Sequence, residues 1–600
     1  NKSFFICIII IFFLNILLFL PTIGHDFIGD DHVLIVDNPR IKEFGSLIKD
    51  LKSPFSLRVD SPLLPYWRPI ILLSYYVDYK IWGLKPAGFH LTNIIFNAFN
   101  AVLVFLLFFL PAKKPFPAFL VSLLFSLHPA HAESTAWISG RTDVLSAFFI
   151  LVSISAVILF VKKKKLFFYF LSYLTMVLAF LCKEISLFLP VLISLILMWP
   201  ATPGKEDPVR HSGDLPSSKG KKAALLLSLP FWLTAVAYVY LHATYTRMPS
   251  FIFKTSPGDI LNIIKTIGAY TRILFLPFFP APYFSMREFD KFTVEYILLF
   301  VLAIIILVWI IKRRDHFKLS FFSLGALIFL IPVLNPRIIP AYPGISFRFT
   351  YISTLFAAVF YTEILYYLKR GPENGKTGGH NKKVRFLSRG LRDGNKLRSL
   401  LFVIFLVLLG GSFAVESFYY QVFFKNEQQM DIIINYYPDE EQPLFNIALR
   451  KARQGDYHQA LGFINAAIEK NKTNPWKSFL VQARLDKARL LLYLDRREEG
   501  RALLEQILNT SPETSHRFQA YLRMSEYYEL KTDYATAVSM LRKAETMGQT
   551  PYLFYRCAYV LSLMGKRREA LEIIEKAGTV GMKTSQLEQL GAEIRLQSPL

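Results

Sequence analysis

The sequence predicts an all-α protein in two parts, a polytopic membrane helix bundle followed by a soluble helical solenoid. Three observations predict it. Residues 1 to about 420 are a succession of apolar runs rich in Phe, Leu and Ile. The basic residues gather in short loops between those runs. From about residue 440 onward, small residues recur at a fixed spacing.

Apolar runs long enough, or nearly long enough, to cross a bilayer occur at 3–21, 90–110, 116–131, 143–161, 166–181, 185–200, 223–242, 293–311, 319–335, 350–368 and 398–417. The twenty-residue criterion makes these about eleven spans. Ser3 to Leu20 is long for a signal-peptide core, and Pro21-Thr22-Ile23-Gly24 offers no small-residue cleavage site, so it reads as a retained first span. Residues 262–280 carry Lys265 and Arg272 and read as lying on, or re-entering, the membrane. The membrane part is thus 1–420, with a linker at 421–439 and the solenoid at 440–600.

Loop charge orients the bundle. With the N-terminus on the cytoplasmic side, that side receives Lys113-Lys114, Lys162 to Lys165, the five basic residues of 201–222, Lys312-Arg313-Arg314 and the ten of 369–398. The opposite face (periplasm, or lumen of the endoplasmic reticulum) receives 22–89, the His128 to Arg141 region, Lys183-Glu184, 244–292, Asn335 to Arg348 and the whole tail. The net charge of +24 is therefore the charge of membrane loops, and no nucleic-acid partner is expected. Three cysteines without a CxxC suggest neither a disulfide framework nor a zinc ribbon.

The tail repeats. Its markers are spaced twelve and then seven residues apart: Ala448, Ala460, Ala467; Ala488, Gly500, Ile507; Ser525, Ala537, Ala544; Ala558, Ala570, Ala577. Turns fall between the first two markers of each set, beginning at Gly455, Asp495, Thr532 and Gly565, and Pro475, Pro512 and Pro551 end the first three units. Small residues let paired helices approach closely. The pattern resembles tetratricopeptide repeats, with four units stacking into a solenoid that has a concave groove.

The candidate chemistry lies on one face. Asp30 and Asp31 stand just beyond the first span. Adjacent carboxylates raise one another's pKa, which suits a general base that takes a proton from an acceptor hydroxyl. The bland reading is a solvated loop capping a juxtamembrane helix. His128-Pro129-Ala130-His131-Ala132-Glu133 carries potential metal ligands, but Pro129 disturbs the spacing and there is no HExxH. His128, His131 and Glu133 are read as lining a polar site, one of them bonding a phosphate or substrate, with no metal and no cofactor expected. Arg141 is suited either to snorkel at the interface or to grip a phosphate. Lys183 and Glu184 read either as an ion pair or as site residues at the outer rim. Arg348, with Tyr351 one turn on, lies at the same level. Arg68, Arg141, Lys183 and Arg348 together suggest a pocket for the phosphate of a lipid-linked donor.

The order DDH, DNP, YWRP, DYKIWGLKPAGFHLTN, LHPAHAESTAWISGRTD, LCKE and FRFTY, followed by the repeats, resembles the TMTC-type family. These are transmembrane and tetratricopeptide-repeat O-mannosyltransferases of the GT-C fold, together with their prokaryotic relatives. The resemblance implies inverting, metal-independent transfer of mannose or another hexose from a polyprenyl-phosphate sugar to a protein Ser or Thr. It implies Asp30 as base, with Asp31 and His32 beside it. The family's lysine–glutamate pair falls on Lys183 and Glu184, and its Arg-aromatic-x-Tyr segment on Arg348 to Tyr351. Phe347 stands where the family often has glutamate. His90, in the HLTN motif, joins Arg68, Arg141, Lys183 and Arg348 as an expected donor ligand. The repeat groove is expected to take the protein acceptor. Alternatives are a membrane-anchored scaffold with a non-catalytic bundle, or the same chemistry on a lipid or glycan acceptor. A transporter would want charges at mid-membrane.

Overall fold

The computed structural model describes residues 2–38, 41–42, 55–56, 65–198, 218–246, 257–279, 283–285, 293–312, 325, 327–334, 344–370, 390–432, 435, 441–471, 477–579 and 585–596. The basic stretches 201–217 and 371–389, residues 335–343, Pro475, and part of the expected span 319–335 and of the expected linker lie outside these. The chain divides into two compact units. The first comprises Asn1–Ile28, Arg68–Leu241 and Phe253–Asn426; the second comprises Gly29–Trp67, His242–Ile252 and Glu427–Leu600.

The described fold is helical, with two minor antiparallel β pairs. In the first unit the helices are α1 (Lys2–Phe19), α2 (Pro69–Trp82), α3 (Pro86–Ala112), α4 (Pro115–Leu127), α5 (His131–Ala136), α6 (Arg141–Lys163), α7 (Leu166–Phe180), α8 (Leu189–Met198), α9 (Ser218–Thr246, assigned here as far as Leu241), α10 (Pro257–Phe275), α11 (Thr293–Lys312), α12 (Thr354–Arg370) and α13 (Gly390–Val422). Proline opens α2, α3 and α4, where its missing N–H costs nothing.

Among the described residues, five helices are long and apolar enough to cross a membrane: Lys2–Gly24, Pro86–Pro111, Ile138–Lys163, Lys222–Thr244 and Leu397–Val422. Five other expected spans are shorter apolar helices. The expected 116–131 ends at Leu127 because His128 turns extended ahead of Pro129, which disfavours helix at the residue before it. The expected 185–200 opens as a tight turn, Glu184–Phe188, before α8. Within 319–335, the described Ile328–Val333 is also a tight turn, containing Pro332. Residues 262–275 belong to the continuous helix α10, which packs on α11 where Gly268 meets the Tyr296 carbonyl; a Cβ there would lie 1.9 Å from that oxygen.

The bundle is pinned by polar residues on α3. Asn93, Asn97 and Asn100 form one stripe and are fully buried. Asn93 donates to the Trp137 carbonyl (3.1 Å), Asn97 to Asn15 on α1 (2.9 Å), and Asn100 to the Val144 carbonyl and the Tyr351 hydroxyl (2.9 Å each). Tyr351 donates in turn to Asn97. Such bonds hold helices together where water offers no competing partner.

The second unit holds a wide helical turn, His32–Val36, the strands β1 (Phe55–Ser56) and β2 (Pro65–Tyr66), which pair with each other, and α14 (Glu427–Asp431). Four helix pairs follow: α15/α16 (Glu441–Arg453, Tyr457–Asn471), α17/α18 (Lys477–Tyr493, Arg497–Thr510), α19/α20 (Thr514–Leu530, Tyr534–Glu545) and α21/α22 (Pro551–Leu563, Arg567–Thr579), then α23 (Ser585–Leu596). All twelve marker residues are buried. The four turn residues Gly455, Asp495, Thr532 and Gly565 all take positive φ, at +81°, +61°, +59° and +74°. Gly500 lets α18 close on α17; a Cβ there would lie 3.0 Å from the Ala488 carbonyl. The tail is a repeat solenoid.

Candidate active site

The first unit gathers charges from four separate places in the chain. The stretch 344–351 begins as β4 (Gly344–Ser346), paired with β3 (Tyr283–Ser285), and turns through Phe347–Thr350. The strand places Ser346 and Arg348 over α5. Ser346 Oγ donates to both oxygens of Glu133 (2.7 and 2.8 Å), and the Arg348 amide donates to Oε2 (3.0 Å). The Arg348 guanidinium lies over Trp137 (4.9 Å) and Phe349 (5.4 Å), with Nε 3.7 Å from Glu133 Oε1. That Nε is buried without a hydrogen bond, while the side chain as a whole is 27% exposed. Glu133 is thus the carboxylate beside Arg348. Phe347 itself packs on Phe279 and Tyr420, 5.3 Å from each.

Lys183 and Glu184 do not pair with each other. Lys183 is in extended backbone (φ −161°, ψ 139°), so the two side chains diverge. Lys183 reaches Asp143 at the start of α6, and its ammonium lies 5.3 Å from the Phe349 ring. Glu184 takes a bidentate bond from Arg68, Nε to Oε1 at 3.1 Å and Nη2 to Oε2 at 2.7 Å. Burial pushes the Lys183 pKa down; Arg348 and Arg68 push the same way, and Asp143 opposes them. Burial likewise raises the Glu133 carboxyl, against the opposing pull of Arg348 and Ser346. Lys183 and Arg348 thus both lie against the Phe349 ring, and Arg68 adds its positive charge to the surroundings of Lys183. Glu133 was legible from its place in the HPAHAE block, whereas Asp143 escaped the sequence reading as a site residue.

Other expected ligands are engaged elsewhere. Arg141 is fully buried. It pairs with Asp78 (2.6 Å), donates to Asn93 Oδ1 and the Phe89 carbonyl (2.8 Å each) and lies over Tyr75 (4.8 Å). This corrects both expectations for Arg141: it neither snorkels to the interface nor presents a free fork to a phosphate. His128 accepts from the Ala130 amide on Nδ1, so Nε2 must carry the proton it gives the Leu274 carbonyl at 3.0 Å. His131 bonds Thr354 (2.9 Å) and stacks on Tyr351 (4.3 Å). Tyr351 is 2% exposed inside the asparagine network. All three side chains are buried and engaged within the bundle. His90 is 1% exposed, edge-on to His25 at 5.7 Å. Among the described residues no three His, Cys, Asp or Glu side chains form a metal-binding group.

Asp30 and Asp31 belong to the second unit. Gly29, at φ +53°, turns the chain into a short helical segment, so the pair opens a helical turn rather than an extended loop. Asp30 is half-buried and Asp31 fully buried. His32 Nε2 lies 3.4 Å from Glu427 Oε1 on α14, which raises the His32 pKa chiefly through that hydrogen bond.

No protein-family model matches the chain. It is 32% identical over 165 residues to the protein O-mannosyl-transferase F38B6.6 of Caenorhabditis elegans, covering 26% of this chain and 23% of that protein. It is 34% identical over 137 residues to the protein O-mannosyl-transferase Tmtc1 of Drosophila melanogaster, covering 22% and 16% respectively. It is 29% identical over 177 residues to the protein O-mannosyl-transferase TMTC4 of Mus musculus, covering 24% and 22%. The matched stretches span less than a quarter of each of these relatives.

Proposed function

The chain is a membrane protein that resembles TMTC-type proteins over 22–26% of its length in these comparisons, and we propose that it is a membrane glycosyltransferase. It moves mannose or another hexose from a polyprenyl phosphate to a Ser or Thr hydroxyl of a protein, at the non-cytoplasmic face. The observation that carries this reading is the Arg348 guanidinium, held over Trp137 and Phe349 with an unbonded Nε, beside Lys183 and Arg68. The exposed part of a planar guanidinium suits a phosphate oxygen, and neighbouring cations favour the charge that grows on it. The names of the relatives support the class of reaction.

Asp30 takes the proton from the acceptor hydroxyl as its oxygen attacks the anomeric carbon. The bond from that carbon to the phosphate oxygen breaks, and polyprenyl phosphate leaves with the electron pair. A single displacement inverts the anomeric centre. Arg348 holds the leaving phosphate; Lys183 and Arg68, each already paired with a carboxylate, set the field around it. The aromatic faces of Trp137 and Phe349 hold the guanidinium in place by cation–π attraction. The repeat unit receives the acceptor polypeptide.

The test uses the full chain in lipid discs with radiolabelled polyprenyl-phosphate mannose and a Ser/Thr-rich peptide. Label on the peptide supports the reading. No label from mannose or any other hexose donor, while the repeats still capture a protein, replaces it with a membrane-anchored scaffold.

A further inference from the structure

The short helix α14 carries two acidic residues one turn apart, Glu427 and Asp431. The first repeat helix, α15, carries two arginines one turn apart, Arg450 and Arg453. They match in antiparallel register. Glu427 Oε1 lies 3.4 Å from Arg453 Nη1, and Asp431 pairs with Arg450. The same Glu427 oxygen lies 3.4 Å from His32 Nε2. His32 begins the turn that follows Asp30-Asp31, and its carbonyl accepts from the Asp37 amide at 2.7 Å. A single carboxylate therefore links the acidic turn to the base of the repeats, and all these residues belong to one compact unit.

We propose that Glu427 is a positioning residue: it clamps His32, and with it the Asp30-Asp31 turn, onto the first repeat helix. The unit that receives the acceptor then also carries the base. The sequence gives no sign of this, since His32 and Glu427 lie nearly four hundred residues apart along the chain. One carboxylate oxygen meets both the His32 imidazole and the Arg453 guanidinium, and Arg450–Asp431 fixes the helix from which it projects. The second half of the inference rests on the function proposed above; the clamp itself does not.

Hydrogen exchange on the full chain in lipid discs tests the clamp without any substrate. The amides of 29–38 are followed in wild type, Glu427→Gln, His32→Gln and the double variant. Glu427→Gln is expected to speed exchange there about tenfold, as expected for losing one charged hydrogen bond. His32→Gln should do the same, and the double variant should add little. Exchange in 514–579 should stay unchanged, which shows that the solenoid is still folded. Unchanged exchange at 29–38 in Glu427→Gln, or effects that simply add in the double variant, would overturn the clamp. In the transfer assay, Glu427→Gln should lower kcat about tenfold at an unchanged donor KM, because it displaces the base and leaves the donor site alone. A rise in donor KM alone would overturn the positioning role. A wild type that transfers nothing defeats the proposed function, while exchange still decides the clamp.

Discussion

At the scale of residues, the membrane unit separates two kinds of arginine. Arg141 is fully buried, and Asp78, Asn93 and the Phe89 carbonyl engage its guanidinium. Replacing it with leucine leaves Asp78 buried without its cation, a change that costs about 3–5 kcal/mol. Arg348 is partly exposed and holds an unbonded Nε. Arg348→Ala should cost about 1 kcal/mol of stability, since its closest carboxylate oxygen is 3.7 Å away. It should weaken polyprenyl-phosphate binding about a hundredfold, the worth of roughly one strong charge-assisted bond. Thermal melting in detergent beside binding of labelled polyprenyl phosphate reads both effects. The opposite pattern, a donor defect at Arg141 and a stability defect at Arg348, would reverse the assignment. Sequence reasoning placed all four outer-rim cations on one face but could not sort them. Arg141 is distinguished by Asp78 and Asn93, on α2 and α3, and that juxtaposition is tertiary. Lys183 and Glu184, read either as an ion pair or as site residues, take different partners because extended backbone sends their side chains apart.

At the scale of elements, the repeats were the most legible part. Marker spacing depends only on helix geometry and close approach, so twelve residues spread over the tail are buried as their pattern requires. The turns were legible too, but two of them place a costly residue at positive φ. Thr532, β-branched, sits at +59°. Thr532→Gly should stabilise the solenoid by about 1 kcal/mol, as relief of the left-handed strain exceeds the extra entropy of glycine. Denaturant unfolding followed by circular dichroism checks the change, and a loss of stability would show that the Thr532 contacts matter more than its backbone. Membrane elements were less legible. Apolar runs announce a span but not its helix ends, and Pro129, Pro190 and Pro332 shorten or tighten helices that hydropathy alone extends.

At the scale of the whole molecule, the chain joins a polar-pinned helix bundle to a solenoid, and the acidic turn after the first span is counted with the solenoid. Sequence order suggested the reverse, because 29–67 is flanked on both sides by the membrane part. Contacts made by Glu427, so distant in sequence, were invisible to it. The charge asymmetry of the loops remains the argument for placing the acidic turn and the repeats on the non-cytoplasmic side. The central claim is that Asp30 activates an acceptor hydroxyl toward a lipid-linked sugar. The most direct measurement is single-turnover transfer of label from polyprenyl-phosphate mannose to peptide, with wild type beside Asp30→Asn. Asparagine keeps the size and removes the base. The account predicts equal donor binding and a transfer rate at least about a hundredfold lower in the variant. Transfer at the wild-type rate by Asp30→Asn would contradict it.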